Sequence, residues 1–130
     1  MLVMLGGAVG AGLRYVVTVL ATRHFGDGFA VGTIAVNVVG SLAMGLVMAW
    51  LVARFALPGG LSDPGNSVRL LLATGILGGF TTFSAFALDA VVLWERGAVT
   101  LAAAYVMLSV GGSIAAVIAG LAIGRAIFNA

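Results

Sequence analysis

The densest chemistry in the chain is one run, Leu77-Gly78-Gly79-Phe80-Thr81-Thr82-Phe83-Ser84-Ala85-Phe86. Two adjacent glycines followed by two threonines weaken a helix locally, through backbone entropy and through side chains that compete for backbone groups. A helix broken at membrane depth frees carbonyl oxygens and half-helix ends, and these bind ions where they line a cavity. A kink without an ion is the plainer alternative. Phe80, Phe83 and Phe86 recur at three-residue spacing on one helix face. Such a stripe ordinarily faces lipid. The other reading uses the ring quadrupole: an aromatic ring is negative on its face and positive at its edge, so an edge can meet an anion.

Conventional donors stand elsewhere in the chain. Tyr105, Ser109 and Ser113 follow at four-residue spacing and make a hydroxyl stripe along one helix face. Hydroxyls of this kind often bond only to their own helix. Asn37 shares a face with Gly40, Ser41 and Met44. Its amide, with two donor hydrogens and an acceptor oxygen, suits either glue between helices or a donor to an anion. Taken with the span-three break, these residues favour a polar track across a membrane. Arg14 and Asp89 are charges within apolar surroundings, and such charges need a partner, a wet cavity or an interface. Arg14 fits snorkelling, an ion pair or an anion-attracting vestibule, and Arg14 and Arg69 are both candidate partners for Asp89. No catalytic signature accompanies these groups. The single His24 has no nucleophile or acid spaced around it, and neither a P-loop, a zinc-binding helix nor a dinucleotide fingerprint is present. No enzyme activity is expected.

The elements that must position these residues follow from composition. The chain has 130 residues, 62% hydrophobic and 8% charged, with a mean hydropathy of +1.24. A soluble domain carries about a quarter charged residues, so this chain cannot cover a water-soluble globule. The net charge of +2 is too dilute for a nucleic-acid surface, and nucleic acid is excluded as a partner. Without cysteine there is neither a disulfide framework nor a thiolate metal site. A bilayer core of about 30 Å takes roughly 20 apolar residues per helix. Four stretches qualify, at about 2–21, 31–53, 68–93 and 98–123, forming one transmembrane domain over residues 1–130. The first lacks a basic leader and a small-residue cleavage site, and reads as a retained span.

Charge collects between the spans. Arg23, His24 and Asp27 lie in the first break; Arg54, Asp63, Pro58 and Pro64 lie in the second; Glu95, Arg96 and Gly97 form the third. So short a third turn sets spans three and four side by side and antiparallel. One side of the membrane carries Arg54, Arg69 and Arg125 and the other Arg23 and Arg96. Arginine excess ordinarily sets orientation, and this bias is weak enough to permit insertion both ways. Four helices leave little interior for a solute path, so an oligomer is expected. Helices in lipid approach through small residues. Gly112, Ala116, Gly120 and Gly124 form such a seam at four-residue spacing, as do Gly6 with Gly10 and Ser41 with Gly45.

Together these residues resemble the Fluc (CrcB) family of small fluoride channels. The likeness rests on four passages: Gly6-Gly7-Ala8-Val9-Gly10-Ala11-Gly12-Leu13-Arg14-Tyr15; Gly32-Thr33-Ile34-Ala35-Val36-Asn37-Val38-Val39-Gly40; the span-three run from Gly75 to Phe86; and the Tyr105, Ser109, Ser113 stripe. It spans essentially the whole chain. The resemblance implies an all-α membrane protein of four transmembrane helices per subunit, the third broken near its middle. It implies an antiparallel, dual-topology homodimer in a bacterial inner membrane, with two fluoride pathways each lined by both subunits. Phe83 and Phe86 are then the rings that meet fluoride edge-on. Asn37 is the amide donor, and Tyr105, Ser109, Ser113 and Thr82 form the polar track. Arg14 is the vestibule arginine. A structural sodium ion at the dimer centre is held by backbone carbonyls at Gly78 and Thr81. Ala85 stands where the family often has Thr or Ser, and Asp89 where Glu is common.

The function so implied is passive export of cytoplasmic fluoride and resistance to it. The alternative is a small dual-topology coupled transporter, of fluoride/proton antiport or multidrug type. The multidrug type works through an acid in its first span, where this chain has Arg14 and no acid. A structural subunit without a transport path would tolerate apolar replacement of Asn37, Ser109 and Ser113.

Overall fold

The computed structural model describes residues 1–26, 29–55 and 63–128. Asp27 and Pro58 lie outside the described residues. Every described element is helical: α1 (Leu2–Phe25), α2 (Val31–Phe55), α3 (Pro64–Arg69), a π-helical stretch (Leu70–Leu77), a short α4 (Gly78–Phe80), α5 (Phe83–Glu95) and α6 (Val99–Phe128). Four stretches are long and apolar enough to cross a bilayer: α1, α2, the compound third span Pro64–Glu95, and α6.

The helices overrun the spans read from hydropathy, for local reasons. The third begins at Pro64 because Asp63 caps it. The Asp63 carboxylate accepts the Gly65 N–H at 2.8 Å, and proline occupies the first turn, where no N–H is needed. α6 continues past Gly124 to Phe128 because that glycine is a packing residue and not a stop. A Cβ there would lie 2.5 Å from the Ala49 Cβ. The turn between α5 and α6 closes on Gly97, at φ 75°. Its N–H bonds Trp94 O at 2.9 Å, and the Ala98 N–H reaches back to Leu93 O at 3.1 Å. This is the paired closure that a left-handed residue permits at a helix end. It folds α6 back antiparallel on α5, so that Phe86 meets Tyr105 and Leu93 clusters with Ala102.

Glycine seams join spans that run the same way. Gly45 and Gly120 meet backbone to backbone between α2 and α6: a Cβ on Gly45 would lie 2.7 Å from Leu121 N, and one on Gly120 3.1 Å from Gly45 Cα. Gly112 lies against Val38 and Gly124 against Ala49, so both helices advance together. The same holds between α1 and the third span. A Cβ on Gly6 would lie 2.7 Å from Leu71 O, and one on Gly10 2.7 Å from Phe80 N. The stretch wound in π form lies against this seam, with Gly78 N–H reaching the Ala73 carbonyl five residues back. A π turn is wider than an α turn and often marks a functional segment. Even α2, the best-covered span, has only 28% of its most apolar stretch buried within the chain. The remaining apolar surface faces lipid or another subunit.

Candidate ion site

The third span breaks at Thr81 and Thr82, both extended (φ −76°, ψ 158° and φ −152°, ψ 121°). Side chains hold the break open. The Thr82 N–H donates to Asn37 Oδ1 at 2.8 Å, and Asn37 Nδ2 donates to Thr82 O at 3.0 Å. The asparagine amide thus pairs with Thr82 as a neighbouring strand would. Thr81 turns its N–H and its hydroxyl onto Leu77 O, each at 3.0 Å. Thr82 caps α5, its hydroxyl accepting the Ala85 N–H at 3.2 Å. These bonds leave specific carbonyls over. In an unbroken helix Gly78 O would accept from Thr82 N–H and Thr81 O from Ala85 N–H. Both hydrogens are committed to side chains instead.

Beside the break lies a cavity of about 430 Å³. Asn37, Gly40, Ser41 and Met44 line it from α2; Thr81, Thr82, Phe83 and Phe86 from the third span; Ser109 and Ser113 from α6. The rings of Phe83 and Phe86 are 5.4 Å apart, tilted by 48°. Both line the cavity, but Phe86 is buried whereas Phe83 is 78% exposed. Ser109 Oγ and Ser113 Oγ are buried and have no hydrogen-bond partner among the described residues. They do not bond back to their own helix, the ordinary habit of such stripes. An orphaned buried hydroxyl is costly and rare, and two facing one cavity point to a ligand.

Not every candidate residue reaches this cavity. Tyr105 is wholly buried behind Phe86, their rings stacked at 5.6 Å and 20°. Its hydroxyl donates to Asp89 Oδ2 at 3.1 Å, and Tyr105 is not among the residues lining this cavity. Asp89 also accepts from Thr33 Oγ1 at 2.7 Å. Its partners are therefore two hydroxyls and neither candidate arginine; Arg69 donates to Asn66 at 3.0 Å. Asp89 sits in the middle of α5, where the facing helices present hydroxyls and not arginines. Arg14 is half-buried on α1 and does not line the cavity. Sequence reasoning missed Thr33, although Thr33, Asn37 and Ser41 repeat at four-residue spacing and mark one polar face of α2.

The family model described as CrcB-like protein, Camphor Resistance (CrcB), matches residues 1–121. The chain belongs to the CrcB family. Curated relatives extend the match over nearly the whole length. A protein of Chelativorans sp. (strain BNC1) is 54% identical over 127 residues, covering 98% of this chain and 96% of that protein. One of Paracoccus denitrificans is 52% identical, covering 97% and 94%. One of Rhizobium johnstonii is 53% identical, covering 97% and 95%. Each bears the name fluoride-specific ion channel FluC. Membership in CrcB and four membrane-length helices make this a multi-pass membrane protein.

Proposed function

We propose that the chain is a fluoride-selective channel through which fluoride leaves the bacterial cytoplasm passively. One observation carries the reading: two buried, unpartnered serine hydroxyls and two phenylalanine rings line a single cavity beside a broken transmembrane helix. Fluoride is small and tightly hydrated, so a narrow path must replace its water with donors. Ser109 and Ser113 offer hydroxyl hydrogens, Phe83 and Phe86 offer ring edges, and Thr82 and Asn37 border the same space. Several weak sites let an ion enter without trapping it. Arg14, away from the cavity, attracts anions toward its mouth. The work is permeation and not catalysis.

The subunit completes its path with a second copy. The cavity has the largely exposed Phe83 in its lining. A homodimer closes it, with the subunits inserted antiparallel in the inner membrane. The near-even division of arginine between the two sides supports dual insertion. The carbonyls of Gly78 and Thr81, both deprived of helical hydrogens, suit a structural sodium ion, which as a hard cation takes oxygen ligands. Bound there, such an ion would add positive potential beside the break.

The test is efflux from liposomes read with a fluoride electrode. Fluoride leaves far faster than chloride; equal rates remove the selectivity. Phe83→Ile slows fluoride while the dimer stays intact by size-exclusion chromatography, and an unchanged rate ends the ring's role.

A further inference from the structure

A carboxylate beside an anion path is an odd choice. Removing a charge from water is costly unless it is paired or well hydrogen-bonded, and a negative charge repels the ion that must pass. Asp89 is nevertheless held in a built setting. Its Oδ2 takes hydrogens from Thr33 Oγ1 at 2.7 Å and from Tyr105 OH at 3.1 Å. It also borders a smaller cavity of about 180 Å³ with the hydroxyl-bearing Thr18, Thr22 and Thr33, so the carboxylate does not lie among hydrocarbon alone.

What Asp89 does is visible in Tyr105. That ring is wholly buried and fixed on three sides. Its hydroxyl is bonded to Asp89, one face stacks on Phe86 at 5.6 Å and 20°, and Phe29 meets it at right angles, 5.7 Å away. With its hydrogen given to Asp89, the phenol has no donor left for a passing anion. What remains is the ring, a flat support behind Phe86, whose other neighbour is the cavity. Phenylalanine has free rotation about its side-chain bonds unless neighbours fix it, and an edge-on contact to an ion depends on the ring plane.

We propose that Asp89, steadied by Thr33, is a positioning residue. It pins the Tyr105 hydroxyl so that the Tyr105 ring holds the rim of Phe86 toward the cavity. Asp89 itself need not touch the ion. The proposal rests on the fluoride-channel reading, and its test separates the two.

Fluoride and chloride efflux are measured over a range of concentrations for the native protein, D89A, D89N, Y105F and the D89A/Y105F pair. D89A lowers fluoride flux by between about twofold and tenfold, the range an aromatic pair's energy sets, and narrows the fluoride-over-chloride ratio. Y105F keeps the ring, loses the pin and shows the same loss. The pair loses no more than either single variant, because both remove one bond. D89N keeps an amide oxygen at the position where Thr33 Oγ1 and Tyr105 OH both donate, and recovers most of the rate lost in D89A. Should D89A fail to fold, Y105F and D89N carry the test. No selective efflux from the native protein overturns the channel reading. Selective native efflux with Y105F at the native rate, additive losses in the pair, or D89N as slow as D89A overturns the positioning role alone.

Discussion

At the scale of single residues, the two orphaned serines make a prediction in which stability and flux part company. Ser109 and Ser113 give the folded subunit no hydrogen bond among the described residues. Replacing both by alanine removes two unpaired buried hydroxyls, so thermal stability of the detergent-solubilised protein stays level or rises, by up to about 1 kcal/mol per site. Fluoride flux in liposomes falls at least severalfold in the same protein. A parallel fall in both would mean the hydroxyls hold the fold. Asn37 predicts the opposite pattern. Its amide supplies both hydrogen bonds of Thr82's backbone, and Thr82 is buried. Asn37→Leu leaves an N–H and a carbonyl unpaired, at a cost of about 1–3 kcal/mol each, and lowers the melting temperature together with the flux. The sequence left Asn37 open between glue and donor, since both uses need the same amide on the same face. The bonds to Thr82 make it a clamp on the break, with one amide hydrogen beyond those two contacts.

Whole elements are set by glycine. Between α2 and α6, Gly45 and Gly120 let two backbones meet, and van der Waals contact is the main attraction available to helices in lipid. Gly120→Leu drives a side chain into the Leu42 carbonyl. It destabilises the subunit by about 1–3 kcal/mol, measured as a lower melting temperature. Gly111, where an added Cβ would meet nothing within 4 Å, accepts leucine without that penalty. The α5–α6 turn gives a smaller effect. Gly97 at φ 75° tolerates alanine at a cost of about 1–2 kcal/mol, the strain of an L-residue in the left-handed region. The small-residue spacing was legible as a seam, because periodicity reports which positions share a face. Which helices the seams would join was not legible, nor was the π winding of Leu70–Leu77. A π turn differs from an α turn by one residue's hydrogen bond, and no residue type is specific to it.

At the scale of the molecule, the cavity and the exposed Phe83 face either lipid or a second subunit, and the proposed antiparallel pair covers them. A tag on either terminus is then accessible from both faces of one membrane; access from a single face contradicts the arrangement. If sodium binds at Gly78 and Thr81, reconstitution with a bulky organic cation in place of sodium lowers fluoride flux and thermal stability, and restoring sodium reverses both. Indifference to the cation would remove the ion from the design.

Composition and periodicity alone determined that this chain lives in a bilayer as four helices, because apolar length and the scarcity of charge have only that solution. They also located the weak point of the third helix, since glycine and threonine preferences act within a turn or two. The run from Gly78 to Phe86 was the most specific of the four passages that carried the likeness to fluoride channels. Tertiary structure alone decided the pairings: Asn37 with Thr82, Asp89 with Thr33 and Tyr105, Phe86 with Tyr105. Each joins residues at least sixteen positions apart on different elements. Spacing along one helix fixes which way a side chain points, and only the packing of several helices fixes what it meets.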